Sequence, residues 1–394
     1  MRKKLKDVCM FYSGTGFPIQ YQGQTKGEYP FYKVGDIANN AIAGKIYLEL
    51  CNNYISSDVA KMIKGCILPK DTVVFAKIGE ALKLNRRAIT SCDCLIDNNA
   101  MGIAPKLDFL RIQYFYFCMK NLKMQTLAES TTVPSVRKTV LEKYEIEVPS
   151  LVEQEEIEKK LTLTQKIIEK RRQELSYLDE IIKARFVELF ECGDHEIVKA
   201  SDVCDFITKG TTPPTGEITE EYENGKIPFL KVYNLSFTGE MLFDENPQYI
   251  LAETHNGKLA RSKVYPNDVL MNIVGPPLGK FTLVTDEFEE WNINQAIAIF
   301  RAKERILPRF LLHALMQPKV LEPFIGQAVG IRQQNLSLEQ CRNLQFPLPS
   351  LEEQKSFVEF AEQLDKSKFD TMTFAPIYAI INLYLHTYFY QGRR

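Results

Sequence analysis

Val148-Pro149-Ser150-Leu151-Val152-Glu153-Gln154 returns 200 residues later as Leu348-Pro349-Ser350-Leu351-Glu352-Glu353-Gln354, identical at five of seven positions. Each copy contains Ser-x-x-Glu, the capping-box spacing in which the hydroxyl accepts from an early helical N–H and the carboxylate reaches back to the cap. A proline directly before each serine disfavours helix upstream. Both copies therefore mark a helix start, at 151 and at 351.

One heptapeptide can recur by chance, so collinearity decides. Val8-Cys9 matches Val203-Cys204, Phe31-x-Lys33-Val34 matches Phe229-x-Lys231-Val232, Pro69-x-Asp71 matches Pro266-x-Asp268, and Asn99-Ala100 faces Gln295-Ala296. These four echoes lie in order at separations of 195 to 198 and lead into the match at 200, which makes the chain a diverged tandem duplication. A unit of half the chain is too long for a solenoid repeat. Gly65 to Ala76 and Lys263 to Ile273 read as a turn and then a β-rich run, whereas Leu110 to Leu127 and Pro308 to Ile325 read as helical. The predicted fold is α+β: a lobe over 1–150, a long helix over 151–192, a second lobe over 193–350, and a second helix over 351–394.

Leu161, Ile168, Leu175, Ile182 and Leu189 recur every seven residues, with Ile157 and Leu178 on the adjoining seam and Gly193 as the stop. At about 1.5 Å per residue such a helix is on the order of 60 Å long and needs a partner helix along its apolar stripe. The second helix begins with the same kind of stripe, Phe357, Ala361 and Leu364, and departs from it after Phe369. Pro376 lies inside its expected span, where an unbroken helix would cost about 3 kcal/mol. Full-length pairing of the two helices is therefore not expected.

The formal net charge of −1 over 394 residues gives no sign of a polyanionic partner. Counted by segment, residues 1–150 hold 21 basic and 14 acidic side chains and residues 191–350 hold 15 and 21, so a block of +7 is balanced by one of −6. Nine cysteines at irregular spacing suit reduced thiols in a cytoplasm, and Cys92-Asp93-Cys94 is too tightly spaced for a zinc half-site. No secretory signal is expected. The most apolar stretch, Ala375 to Tyr390, is shorter than the roughly 20 residues of a membrane-spanning helix.

Catalytic motifs are incomplete. Ser13-Gly14-Thr15-Gly16 lacks the surroundings of an S-adenosylmethionine loop and reads as a turn, and Gly275-Pro276-Pro277-Leu278 lacks the polar and aromatic residues of an amino-methyltransferase tetrapeptide. Gly279-Lys280-Phe281 lacks the spacing of a phosphate loop, and four scattered histidines form no metal pair. Binding residues are better placed. Lys33, Lys77, Lys83, Asn85, Arg86, Arg87, Asn98 and Asn99 give the first lobe phosphate-neutralising charge and base-reading amides. In the second lobe the candidates are Lys209, Thr211, Thr212, Lys231, Tyr233, Asn234, Asn272, Lys280, Asn292, Asn294, Gln295 and Arg332. A solvated basic hairpin and ordinary turn-forming amides are the bland alternatives for these residues.

The two Pro-Ser-Leu-x-Glu-Gln starts, the run Asn272 to Lys280, the block Trp291-Asn292-Ile293-Asn294-Gln295-Ala296, and Gln354 to Lys368 resemble the specificity subunits of type I restriction-modification systems. The resemblance spans nearly the whole chain. It implies a non-catalytic subunit with two target-recognition domains, each reading half of a split double-stranded DNA site, and antiparallel spacer helices that dock two modification (methyltransferase) subunits. Restriction/translocase subunits would complete the complex, with S-adenosylmethionine, ATP and Mg²⁺ on the partners, no cofactor in this chain, no membrane, and a cytoplasmic setting. A tandem duplication fits this independently, because pseudo-two-fold symmetry suits a duplex that presents its groove once per helical turn. A stand-alone DNA methyltransferase or nuclease, or a coiled-coil scaffold, remains the competing reading.

Overall fold

The computed structural model describes residues 1–49, 51–128, 133–214, 216–223, 225–275, 277–325 and 335–373. Its contacts divide the chain into two units, Met1–Arg172 and Gln173–Thr373. The expected disruption by Pro376 and the apolar stretch after it lies outside the described residues.

In the first unit Arg2–Lys4 pairs antiparallel with Glu145–Glu147 and ties the ends of the lobe together. A five-stranded sheet runs in the order Cys9–Ser13, Ala100–Pro105, Val73–Ala76, Arg87–Thr90, Tyr47–Leu48. A smaller sheet joins Tyr54–Ile55, Tyr29–Tyr32 and Leu95–Ile96, the last two in parallel. The second unit repeats this wiring. Glu196–Lys199 pairs with Gln345–Leu348, Cys204–Lys209 is followed across a sheet by Ile297–Ala302, Val269–Asn272 and Phe281–Leu283, and Lys226–Leu230 lies parallel to Trp291–Ile293. The echoes fall on equivalent joints: Val8-Cys9 and Val203-Cys204 each pass from a helical turn to a strand, and Phe31 to Val34 and Phe229 to Val232 each pass from a strand to a helical turn. The segments expected to be helical are shorter: Ile112–Asn121 with a tight turn at Met124–Leu127, and a pair, Pro308–Leu315 and Pro318–Ile325, divided where Pro318 starts a new helix.

Both predicted helix starts carry the same built junction. Ser150 N–H donates to the Glu153 carboxylate at 2.8 Å and Glu153 N–H to Ser150 Oγ at 3.3 Å; Ser350 and Glu353 repeat this at 2.9 and 3.3 Å. The serine hydroxyls and amides hold both glutamates below the usual carboxylate range. One residue on, Gln154 is fully buried. Its Oε1 accepts from Arg111 N–H at 2.8 Å, and its Nε2 donates to the carbonyls of Phe109 at 2.8 Å and Pro149 at 2.9 Å. Gln354 makes the equivalent set: Leu307 N–H at 2.8 Å, the Arg305 carbonyl at 3.1 Å and the Pro349 carbonyl at 3.0 Å.

The first long helix runs over Leu151–Phe186 and closes in a π turn, Val187–Glu191. Ile157 and Leu161 are buried in the core of the first unit, and Ile182 in that of the second, while Ile168, Leu175 and Leu178 are half-buried. The heptad reading puts Leu189 on the seam, but it is only half-buried, and Phe186 and Phe190 take the core. A π turn advances fewer degrees per residue than an α-helix, which swings Phe190 back into line with Phe186. Within the second unit both rings meet Phe357 of the second long helix, Leu351–Thr373, at 5.5 and 5.6 Å, and Lys368 meets Asp179 at 2.5 Å. Numbers rise on one helix as they fall on the other, so these segments pair antiparallel. Phe357 is buried in this contact and Leu364 packs half-buried beside it. Among the described residues no helix is long and apolar enough to cross a membrane.

Two predictions follow from these junctions. Gln354→Ala strands the Leu307 N–H and two carbonyls in the interior and should cost the second unit about 2–4 kcal/mol in chemical denaturation. His313, buried against Phe357 near Asp365, Arg309 and Lys368, has its pKa lowered to about 4 by burial. The unfolded state takes up that proton below about pH 6.5 and the folded state does not, so stability falls as pH drops from about 6.5 to 4, by about 1.4 kcal/mol per pH unit from this group. His313→Leu should flatten the slope of unfolding free energy against pH, measured by chemical denaturation between about pH 4 and 6.5, by that amount.

Candidate nucleic-acid interface

The strand registers collect most candidate residues at one end of each lobe. In the first unit Ser13 pairs with Met101, Ala76 with Ala100 and Phe75 with Arg87, so one end of the large sheet carries the loops after Ser13, after Ala76 and before Ala100. The parallel pair Tyr32 and Ile96 delivers Lys33 and Asp97 to the same end. Backbone bonds stitch these loops together: Thr15 N–H to Ile96 O at 2.9 Å, Asp97 N–H to Tyr32 O at 3.0 Å, Lys77 N–H to Asn99 O at 2.9 Å, and Val136 N–H to Lys77 O at 2.9 Å. The Asp97 carboxylate accepts from Val34 N–H at 3.0 Å and Asn99 N–H at 2.8 Å, holding the turn that exposes Asn98 and Asn99.

The second unit builds the same rim, with Thr211 N–H to Ile293 O at 3.3 Å, Asn294 N–H to Leu230 O at 3.1 Å, Ile273 N–H to Ala296 O at 2.8 Å, and Leu336 N–H to Ile273 O at 2.9 Å. Asn294 Oδ1 accepts from Ala296 N–H at 3.2 Å, as Asp97 does from Asn99. These bonds correct the repeat register by one residue: Asp97-Asn98-Asn99 corresponds to Asn294-Gln295-Ala296, so the exposed amides of Asn98 and Gln295 are counterparts at the tip of one turn. They also expose an echo that sequence comparison missed, Gly14-Thr15 with Gly210-Thr211. A Cβ on Gly14 would lie 1.7 Å from the Asp97 carbonyl oxygen, and one on Gly210 would lie 2.0 Å from that of Asn294. Both glycines are there because two backbones touch.

The candidates divide into those presented to solvent and those spent on the scaffold. Lys33 is half-buried, with its Nζ 2.6 Å from Gln22 Oε1 and over the Phe17 ring; Lys77 and Arg86 are also half-buried. Lys83 is exposed and pairs with Glu80 at 2.7 Å. Lys209, Thr212, Tyr233 and Gln295 are exposed, Thr212 donates its hydroxyl to Gln295 Oε1, and Thr211 and Lys231 are half-buried. Lys280 is half-buried with its ammonium 5.7 Å over the exposed Phe237 ring. Partial burial and nearby Glu220 push the Tyr233 phenol above its ordinary range.

Five candidates are spent on the scaffold instead, and all but the half-buried Asn85 are buried. Arg87 is 3% exposed: its guanidinium donates to Asn85 Oδ1 at 2.6 Å and to the carbonyls of Arg86 at 2.8 Å and Leu122 at 3.3 Å, over the Phe75 ring. With no carboxylate beside it, burial lowers its pKa to about 9. Asn85, in the left-handed region at φ 52°, also donates to Lys120 O, so it shapes the hairpin. Asn234 caps the turn after Lys231, and Asn272 clasps the following loop from Pro277 O at 3.1 Å to Lys280 N–H at 2.8 Å. Asn292 is fully buried between His255 Nδ1 and Ser262 Oγ, each at 3.0 Å. Polar residue types alone point to the surface; the strands carry Arg87, Asn272 and Asn292 inward, and Asn85 and Asn234 are drawn into the turns they shape. Arg332 lies outside the described residues.

One rim residue carried no motif signal at all. Arg261 is exposed and its Nε donates to Thr211 Oγ1 at 3.0 Å. Among the described residues no group of three or more His, Cys, Asp or Glu side chains is placed to hold a metal ion.

Compared with known proteins, the chain matches the family described as type I restriction modification DNA specificity domain twice, over residues 1–177 and 193–377. It is 27% identical over 390 residues to the type I restriction enzyme MjaVIII specificity subunit of Methanocaldococcus jannaschii, covering 92% of this chain and 85% of that one. It is 33% identical over 105 residues to the EcoBI specificity subunit of Escherichia coli, covering 26% of this chain and 22% of that one. A solved chain from a type I R-M system, described for its complex assembly and conformational transition, aligns over 97% of this chain and 95% of its own at a TM-score of 0.51 and 17% identity, a likeness of fold.

The division of roles predicts opposite phenotypes for neighbouring arginines. Arg87→Ala should lower the stability of the first unit by about 1–3 kcal/mol, because it strips partners from buried polar groups. Arg86→Ala should leave thermal unfolding unchanged and weaken DNA binding, measured by titration of a labelled duplex.

Proposed function

The chain belongs to the type I restriction modification DNA specificity domain family, and from that premise we propose that it is the recognition subunit of such a system, reading a bipartite duplex with one lobe rim on each half-site. Its role is recognition and not catalysis. The observation that carries this reading is the repeated rim: the same five backbone segments, held by the same four hydrogen bonds, present Asn98 in one lobe and Gln295 in the other. Amides at the tip of a rigid turn suit base edges, because their donor and acceptor pattern is fixed by the turn and not by a flexible stem. Lys33, Lys77, Lys83 and Arg86 around the first rim, and Lys209, Lys231 and Lys280 around the second, supply phosphate neutralisation and orientation. Tyr233 and Phe237 add exposed aromatic surface, able to meet a thymine methyl or a sugar.

The two long helices act in this proposal as the spacer between half-sites and as the platform for two methyltransferase subunits, with restriction/translocase subunits joining the assembly. S-adenosylmethionine, ATP and Mg²⁺ are assigned to those partners. A lobe that reads without reacting needs a rigid rim and no activated nucleophile.

The test is the form of the recognised site. Mapping of modified bases across the genome of a host carrying the chain with its methyltransferase partner should return one split motif with a fixed, non-specific gap. A short continuous motif, or methyl transfer by the purified chain alone, would reject the proposal. Affinity for that duplex should fall steeply between 50 and 200 mM salt, and Lys77→Ala should reduce the slope of log K against log salt by about 1 without changing the motif.

A further inference from the structure

The second lobe has five described arginines, and four are committed internally. Arg301 is paired with Asp268 at 2.7 Å, Arg305 with Glu196 at 3.0 Å, and Arg309 with Asp365 at 3.5 Å, while Arg342 donates to the carbonyl of Ile207 at 3.2 Å. Arg261 differs. Among the described residues it meets no carboxylate, it is exposed at the rim, and its one hydrogen bond runs from Nε to Thr211 Oγ1 at 3.0 Å.

That single bond matters because of which nitrogen it uses. A guanidinium is a rigid planar fork, so anchoring Nε fixes the plane and leaves the two terminal Nη groups as a paired set of donors. Thr211 is itself anchored, because Gly210 packs directly on the Asn294 backbone and Thr211 N–H is bonded to Ile293 O at 3.3 Å. The fork is thus held relative to the turn that carries Gln295. Gln295 adds to the same polarity: its Oε1 already accepts from the Thr212 hydroxyl, which leaves the NH₂ of this exposed side chain available to donate. Donors therefore dominate this edge of the second rim. The base edge that complements adjacent donors is the one with two adjacent acceptors, N7 and O6 of guanine. The first rim has a different inventory, since the exposed Asn98 and Asn99 carry a donor and an acceptor each.

We propose that Arg261, oriented by Thr211, is a specificity-determining residue that reads a guanine in the half-site of the second lobe. This inference rests on the reading of the chain as a bipartite DNA-recognition subunit, and it adds the residue and the base class.

The experiment is selection from a randomised duplex library by the full chain in complex with its methyltransferase partner, comparing wild type, Arg261→Ala and Thr211→Val. The expected wild-type result is a split motif with a required guanine in one half. Arg261→Ala should lose roughly tenfold to hundredfold discrimination at that one position and keep the rest of the motif. Thr211→Val should shift the same position in the same direction by a smaller factor. Replacing that guanine by 7-deazaguanine, which removes N7, should weaken the wild type and leave Arg261→Ala unaffected. The inference is overturned if Arg261→Ala weakens all sequences equally, as a phosphate contact would, or if the motif and affinity do not change. A wild-type complex that selects no split motif overturns the underlying reading instead, and is recognised before any variant is compared.

Discussion

The rest of the structure depends on a buried amide at each helix start. Gln154 and Gln354 each use the acceptor and both donors of one side chain to tie the start of their long helix to the carbonyl of the preceding proline and to both sides of one loop, the loop that leads into Ile112–Asn121 in the first lobe and into Pro308–Leu315 in the second. No other side chain of this length has one acceptor and two donors in that fork, and a buried partner left over would cost free energy that the junction could not recover. The long helix therefore leaves its own lobe in a defined direction, set by hydrogen bonds as well as by packing. The capping box beside the glutamine satisfies the first helical amides. Four of the five identical positions in the heptapeptide follow from this: proline, serine, glutamate and glutamine occupy one small machine that both repeats need, while the leucine between them is exposed in both copies.

The same economy governs the rims. Backbone hydrogen bonds and the close approaches at Gly14 and Gly210 hold the loops, so side chains at the tips are free to differ between lobes without disturbing the support. Asn272 and Asn234 lie beneath that surface and act on it indirectly, by clasping the loop to Lys280 and by capping the turn at Lys231. A frame fixed by main chain and a variable set of outer side chains is the arrangement a recognition protein needs if specificity is to change while the fold stays.

Much of this was legible in the residues. The repeated heptapeptide located both helices and the duplication, because capping chemistry is local and its spacing survives divergence. The ends of the first helix were also readable from the heptad stripe, although the π turn after Phe186 moved its last core contact from Leu189 to Phe190, a shift no periodicity can announce. The rim was only half legible. Polar residue types do not reveal their facing, so Arg87, Asn234, Asn272 and Asn292 were indistinguishable from Lys77 or Gln295 until strand register assigned them an inside or an outside. Arg261 was invisible for the opposite reason: its importance comes from Thr211, fifty residues away in the chain.

The two lobes also divide the electrostatics unevenly, and the structure sharpens what that means. Scaffold pairs in residues 191–350, Asp268 with Arg301, Glu196 with Arg305, Glu217 with Lys258 and Glu290 with Lys263, take one basic group for each acidic one and so leave the excess of acid undiminished. Glu220 belongs to that excess and lies close enough to Tyr233 to act on its phenol. A phosphate backbone approaching the second rim meets that repulsion, whereas the first rim offers Lys33, Lys77, Lys83 and Arg86. Under the proposed function, non-specific attraction would then be carried mainly by the first lobe, and the second would contribute through geometrically fixed contacts such as the Arg261 fork. Attraction falls with salt, while a fixed base contact largely does not. The balance between the lobes should therefore tilt toward the second as ionic strength rises, and the near-zero net charge of the whole chain is no argument against a polyanionic partner.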